Sequence, residues 1–163
     1  ERQKKQELLI AKISKKKLPL TAEEYRKYYK ICDALPFAFT DIEMVFNEEK
    51  KAVDWIFRYG NEALATLEKL PLDKMIGNSF SSLFSNMDAK WLHVYERATL
   101  YGETLEIMDY SPEIDTNLKI ICFPTFPGHC GCILFNADKM KSISEKNHLV
   151  RLVEVSMKSN SSK

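Results

Sequence analysis

Long apolar runs are missing from this 163-residue chain. No stretch reaches the roughly 18 consecutive apolar residues of a membrane-spanning helix, and the opening Glu1-Arg2-Gln3-Lys4-Lys5 lacks the apolar segment of a secretory signal. The expectation is a cytoplasmic domain that makes no membrane contact of its own. A first residue other than Met and the polar close Ser159-Asn160-Ser161-Ser162-Lys163 suit a piece of a larger protein. Charge of one sign is also missing: 24 basic residues face 23 acidic ones, so no global field draws in nucleic acid or a strongly charged substrate. Catalytic fingerprints are absent too, with no phosphate-binding loop, dinucleotide-binding glycine pattern, G-x-S-x-G elbow or H-E-x-x-H helix. Glu48 and Glu49 fall in a predicted turn, where solvated carboxylates do no acid–base work, and no enzyme is expected. The four cysteines, Cys32, Cys122, Cys130 and Cys132, lie mostly in apolar surroundings and read as free thiols packed as small hydrophobes in a reducing compartment.

What is present is enough apolar material, 45% of residues, for one good-sized core. Residues 1–17 are basic with a small apolar stripe at Leu8, Leu9 and Ile13, suiting a short exposed helix or the tail of an upstream coiled coil. Thr21 followed by Glu24 is a capping box, and it predicts a helix over 22–34 carrying Tyr25, Tyr28, Tyr29 and Cys32. Residues 37–46 and 53–59 form a predicted hairpin; in its second strand Val53, Trp55, Phe57 and Tyr59 alternate onto one face. Short helical turns follow, then a longer helix over 88–101 stopped by Gly102, then strands over 104–110, 118–126 and 129–135. Beyond Asn136, Ile143, Val150 and Met157 recur every seven residues, which fits either a coiled coil or a helix packed on the sheet.

This order predicts an α+β fold, a five-stranded antiparallel sheet with helices on one face and flanking helices at both ends. Asn61-Glu62-Ala63-Leu64 directly after the second strand, and Ile76-Gly77-Asn78-Ser79-Phe80-Ser81-Ser82-Leu83-Phe84 further on, narrow the choice. The chain resembles the PAS family, in which an N-x-A turn closes the second strand and a later glycine-containing apolar segment precedes the long connecting helix. The resemblance implies three parts: a helical extension (1–34), a PAS-like sensory domain (35–139) and a signalling helix (140–163). It further implies a bacterial signalling protein with a covalently linked diguanylate cyclase or kinase output. Asn61 and Gly77 are structural on this reading, the first bonding nearby backbone and the second stopping a helix.

Within such a fold Phe80, Phe84, Trp91, Tyr95, Ile107, Ile121, Phe123, Phe126 and Ile133 are candidate walls of a ligand cavity, with Arg58, Thr125 or Asp109 to orient the ligand. A photoactive flavin of the cysteine type is argued against, because no Cys lies between Cys32 and Cys122. Haem through His93 is argued against as well, since Lys90, Glu96 and Arg97 share that helical face and turn it toward water. The alternative to ligand sensing is a homodimer built on Val53, Trp55, Phe57 and Tyr59. Three thiols and an imidazole crowd into residues 122–132. A two-residue turn at Pro127-Gly128 pairs residue 122 with 133, placing Cys122 opposite Cys130 and Cys132 and leaving no single metal site; a turn one residue longer changes that register. A redox-responsive thiol pair remains open.

Overall fold

The computed structural model describes residues 18, 20–85 and 88–139. The expected helices within 1–17 and 140–163 lie outside the described residues. Thr21 and Glu24 exchange both capping bonds, and helix α1 runs Ala22–Tyr28. The chain then tightens into a 3-10 turn, Lys30–Ala34, instead of continuing as one helix to residue 34. Pro36 favours extended backbone at Leu35 (ψ 136°), which ends the helical segment there.

Strands β1 (Ala38–Phe46) and β2 (Ala52–Gly60) form the hairpin. Three short helices follow, α2 (Glu62–Glu68), α3 (Leu72–Met75) and α4 (Phe80–Leu83), and then the longer α5 (Ala89–Tyr101). Strands β3 (Leu105–Ser111), β4 (Thr116–Pro124) and β5 (His129–Asn136) complete an antiparallel sheet of order β2-β1-β5-β4-β3. The fold class is α+β with a PAS-like five-stranded sheet, as the motif order implies. Among the described residues no helix is long and apolar enough to cross a membrane.

Both faces of the sheet are covered. Helices α2–α5 bury Met44, Trp55, Phe57, Leu64, Phe80, Trp91, Tyr95, Ile120 and the three strand cysteines against the inner face. On the outer face α1 and the 3-10 turn bury Tyr25, Tyr29, Phe39, Tyr59 and Phe126 as a second cluster. The outer cover is the flanking helix expected at the N-terminus: β1 and β5 are central strands, so their apolar outer residues also need cover.

The stripe proposed from alternation in β2 divides between these clusters. Ile42 pairs with Phe57 but Asp41 pairs with Tyr59, so one extra residue bulges at Arg58 and reverses the side-chain parity beyond it. Trp55 and Phe57 enter the inner core and Tyr59 the outer one, all under 5% exposed, while Val53 alone stays at the surface. They form no surface on which a second copy could dock. Trp55→Glu would therefore disrupt the core instead of reporting on a dimer.

The apolar motif around Gly77 also has a structural task. Gly77 donates to Phe57 O (2.7 Å) and Phe57 donates to Asn78 O (3.1 Å), so this segment runs along the otherwise open edge of β2 and delivers Phe80 to the core. Trp55 N–H bonds the Asp54 carboxylate (2.8 Å) and Ala52 N–H bonds Glu96 (3.0 Å), which dresses the same edge further.

Asn61 ties four segments together from a buried position. Its Oδ1 accepts from Leu64 N, capping α2, and from Phe39 N in β1; its Nδ2 donates to Cys32 O and Phe37 O. All four bonds measure 3.0–3.1 Å. Asn61→Ala is expected to lower unfolding free energy by about 3 kcal/mol, because the cap is lost, the buried Phe39 N–H loses its acceptor and two half-buried carbonyls lose a donor. Asn61→Asp, which keeps the acceptor, should lose less; equal urea midpoints for Asn61→Ala and wild type would refute this role.

Candidate functional site

The inner face carries a small cavity of about 20 Å³ walled by Trp55, Phe80, Trp91, Tyr95, Leu118, Ile120 and Leu134. The rings pack closely, with Trp55 centred 4.2 Å from Phe80 and 5.1 Å edge-on from Tyr95. Such a space admits a water-sized group and neither a flavin nor a haem, since pockets for molecules of that size run to about 300 Å³ or more. His93 is exposed on the far side of α5.

The polar side of this cavity comes from Glu68, Ser111 and Glu113. Glu68 ends α2 one turn after the fully buried Leu64, and is itself only 9% exposed. Glu113 sits in the β3–β4 turn, where its Oε2 accepts from the Ser111 hydroxyl. Its Oε1 is buried with no hydrogen-bond partner among the described residues. Burial, and secondarily the negative charge of Glu113, push the Glu68 carboxyl up to about 7.

Candidate residues from the sequence divide between the faces. Phe80, Trp91 and Tyr95 line the inner cavity, and Phe84 and Ile107 pack against the same core. Ile121, Phe123 and Ile133 do not join them. Ile121 pairs with Ile133 and Phe123 with Gly131, all on the outer face, where Phe123 and Ile133 pack against the second cluster beside Phe126. Gly131 is required there, since a Cβ would come within 2.8 Å of the Phe123 ring and 3.0 Å of Thr125 Cγ2. Arg58 is on that face too, bound to Glu43 through Nε and Nη2 (3.0 and 2.9 Å). Asp109 pairs with Lys90 at 3.4 Å at the surface.

The cysteine register is the longer-turn alternative. Cys122 pairs directly with Cys132 and Pro124 with Cys130, so the three thiols share the inner face, and His129 points outward. Among the described residues no group of three or more His, Cys, Asp or Glu side chains is placed to hold a metal ion. Burial pushes the Cys122 thiol up to about 12 and raises Cys132 well above the ordinary thiol value. Both remain protonated at neutral pH, so neither supplies the nucleophilic thiolate that redox exchange needs.

The outer face holds a polar network that sequence reasoning missed. Asp41 is fully buried in β1 and its carboxylate accepts from the Tyr29 hydroxyl and, at 2.8 Å, from His129 Nδ1–H. Beside it Tyr59 donates to Asp33 (2.5 Å) and Tyr25 receives Leu20 N–H (3.3 Å). Tyr25 and Phe126 close over the imidazole, with ring centres 6.0 and 5.7 Å away. Burial, then Asp41, raises the Tyr29 hydroxyl far above the ordinary phenol range, so it stays a donor. The signal in the sequence was an Asp in the middle of an apolar strand. For Glu68 it was the spacing of four from Leu64; nothing marked Glu113.

At one end of the sheet, a groove of about 440 Å³ is lined by Phe37, Ala63, Leu67, Leu134 and Lys139. Asn136 Oδ1 accepts from Asp138 N and Lys139 N (both 3.1 Å), starting a helical turn there.

No protein-family model and no curated protein matches the chain. Among solved structures it is similar to an RNA-binding light-oxygen-voltage receptor at 15% identity and a TM-score of 0.42. The match covers 84% of this chain and 39% of that one.

Two expectations follow. Asp41→Ala leaves two buried donors without an acceptor and should destabilise by about 3 kcal/mol, read as a fall in urea midpoint; an unchanged midpoint would show the network to be dispensable. For Glu68 the folded carboxyl titrates near 7 against an ordinary 4.5, so the native state holds the extra proton between those values. Stability therefore falls as pH rises through that window, by at most about 3 kcal/mol. Glu68→Gln should flatten this decline, gaining stability over wild type at pH 8 but not at pH 4.5; parallel stability curves for the two proteins would contradict it.

Proposed function

We propose that this chain is a non-catalytic sensory module, in which occupancy or charge at the inner cavity is passed to the segment that follows Lys139. One observation carries the reading: the cavity and the exit groove share a wall. Leu134 lines both, and on α2 Glu68 faces the cavity while its neighbour Leu67 lines the groove. A displacement of α2 that accommodates a guest at Glu68 alters the groove that Lys139 lines, and that is the differential contact the proposed transmission uses.

The buried His129–Asp41 pair resembles part of an acid–base apparatus, yet Tyr25 and Phe126 cover it and His129 is 2% exposed, so it favours a structural role over a catalytic one. An output domain, a cyclase or a kinase, belongs to this proposal as the receiver of the signal. Homodimerisation, if it accompanies signalling, must use a surface other than Trp55, Phe57 and Tyr59.

The test is amide NMR of Glu68→Gln at pH 8. Resonances and exchange rates at 134–139 are expected to change along with those of α2, while the distant turn at 47–51 stays fixed. Changes confined to α2 and the cavity would remove the proposed route.

A further inference from the structure

The inner cavity joins three features that the core does not explain. Glu68 is nine-tenths buried, and no hydrogen bond or ion pair reaches its carboxylate among the described residues. Glu113 Oε1 is buried and unpartnered among the described residues, while Oε2 is engaged by Ser111. The opposite walls are the rings of Trp55, Phe80, Trp91 and Tyr95. Two acidic groups facing each other in an apolar site repel, and core packing alone would favour Gln or Leu at either position.

A cation resolves all three features at once. Its charge offsets the repulsion between the carboxylates, its N–H groups satisfy their open oxygens, and the electron-rich ring faces attract it. The volume of about 20 Å³ matches a single ammonium head, which is close to a water molecule in size. Glu113 is only half-buried, so this polar end gives onto solvent, where an attached alkyl chain could extend. Lys90, whose Nζ lies 4.9 Å over the Trp91 ring, is committed to Asp88, Asp109 and Tyr110 O, and no hydrogen bond or ion pair joins it to Glu68 or Glu113.

We infer that the inner cavity is a site for a small organic cation, a primary alkylammonium, held by Glu68 and Glu113 against the Trp55, Phe80, Trp91 and Tyr95 rings. This rests on the sensory reading and gives its input a chemical class. Binding keeps Glu68 ionised, and it draws the C-terminal end of α2 toward the β3–β4 turn.

The experiment titrates the full chain with methylammonium chloride at pH 8, following tryptophan fluorescence and the amide resonances of Glu68 and Glu113. Sodium and potassium chloride at matched ionic strength, and neutral methanol, are the controls. A saturable response to methylammonium alone is expected, weakened about tenfold or more in Glu113→Gln and Glu68→Gln, since each loses a charged acceptor. Near-UV circular dichroism verifies that the variants are folded. An equal response to potassium chloride, no response beyond the salt controls, or full binding by both variants overturns the assignment. The two proposals fail separately. If methylammonium does not bind but Glu68→Gln still moves resonances at 134–139, the cation site falls and the sensory route stands; binding without any change at 134–139 gives the reverse.

Discussion

A carboxylate in the middle of a sheet has to be answered. Asp41 lies in β1, between β2 and β5, with no solvent exposure, and a polar group there is tolerable only with hydrogen-bond partners fixed against it. His129 comes from β5 and Tyr29 from the N-terminal segment, so one side chain sets what must cover the outer face. Tyr25, Tyr59, Phe39 and Phe126 then pack around those donors. The N-terminal helix is part of the folded unit for this reason, and a boundary drawn at residue 35 would cut through the hydrogen-bond network around Asp41 at the centre of the sheet.

Much of the architecture was legible because local signals agreed with one another. The Thr21–Glu24 box, the glycine stops and the period-two closing strands each located an element within a few residues. Side-chain facing was harder to read, because parity turns over with every one-residue error. The bulge at Arg58 separated Tyr59 from Trp55 and Phe57, and a longer β4–β5 connection brought Cys122 onto the face of Cys132. Neither event leaves a mark in hydrophobic alternation. Alternation alone left the facing of Ile121, Phe123 and Ile133 open, and the actual register sets all three outside the cavity they were expected to line.

The polar groups of the inner site were hidden for a different reason. Glu68 and Glu113 come from the end of a helix and from a strand connection, 45 positions apart in a chain whose acidic residues are mostly solvated. Only the fold brings them to one cavity. Tyr95 and the cysteines behind it make the other side of that cavity apolar, so the carboxylates have polar surroundings only at the end where Glu113 reaches the surface.

The closed margin of β2 has a consequence for assembly. Residues 77–79 and the side chains of Asp54 and Glu96 occupy its outward backbone groups, whereas on β3, at the other side of the sheet, only Tyr110 is engaged in this way among the described residues, its O by Lys90 and its N–H by Asp109 Oδ1, and the Met108 and Tyr110 side chains are exposed. A sheet with one sealed border cannot polymerise by strand addition. If two copies meet along β3 about a two-fold axis, each uses up the border that the other needs, and growth terminates at the pair.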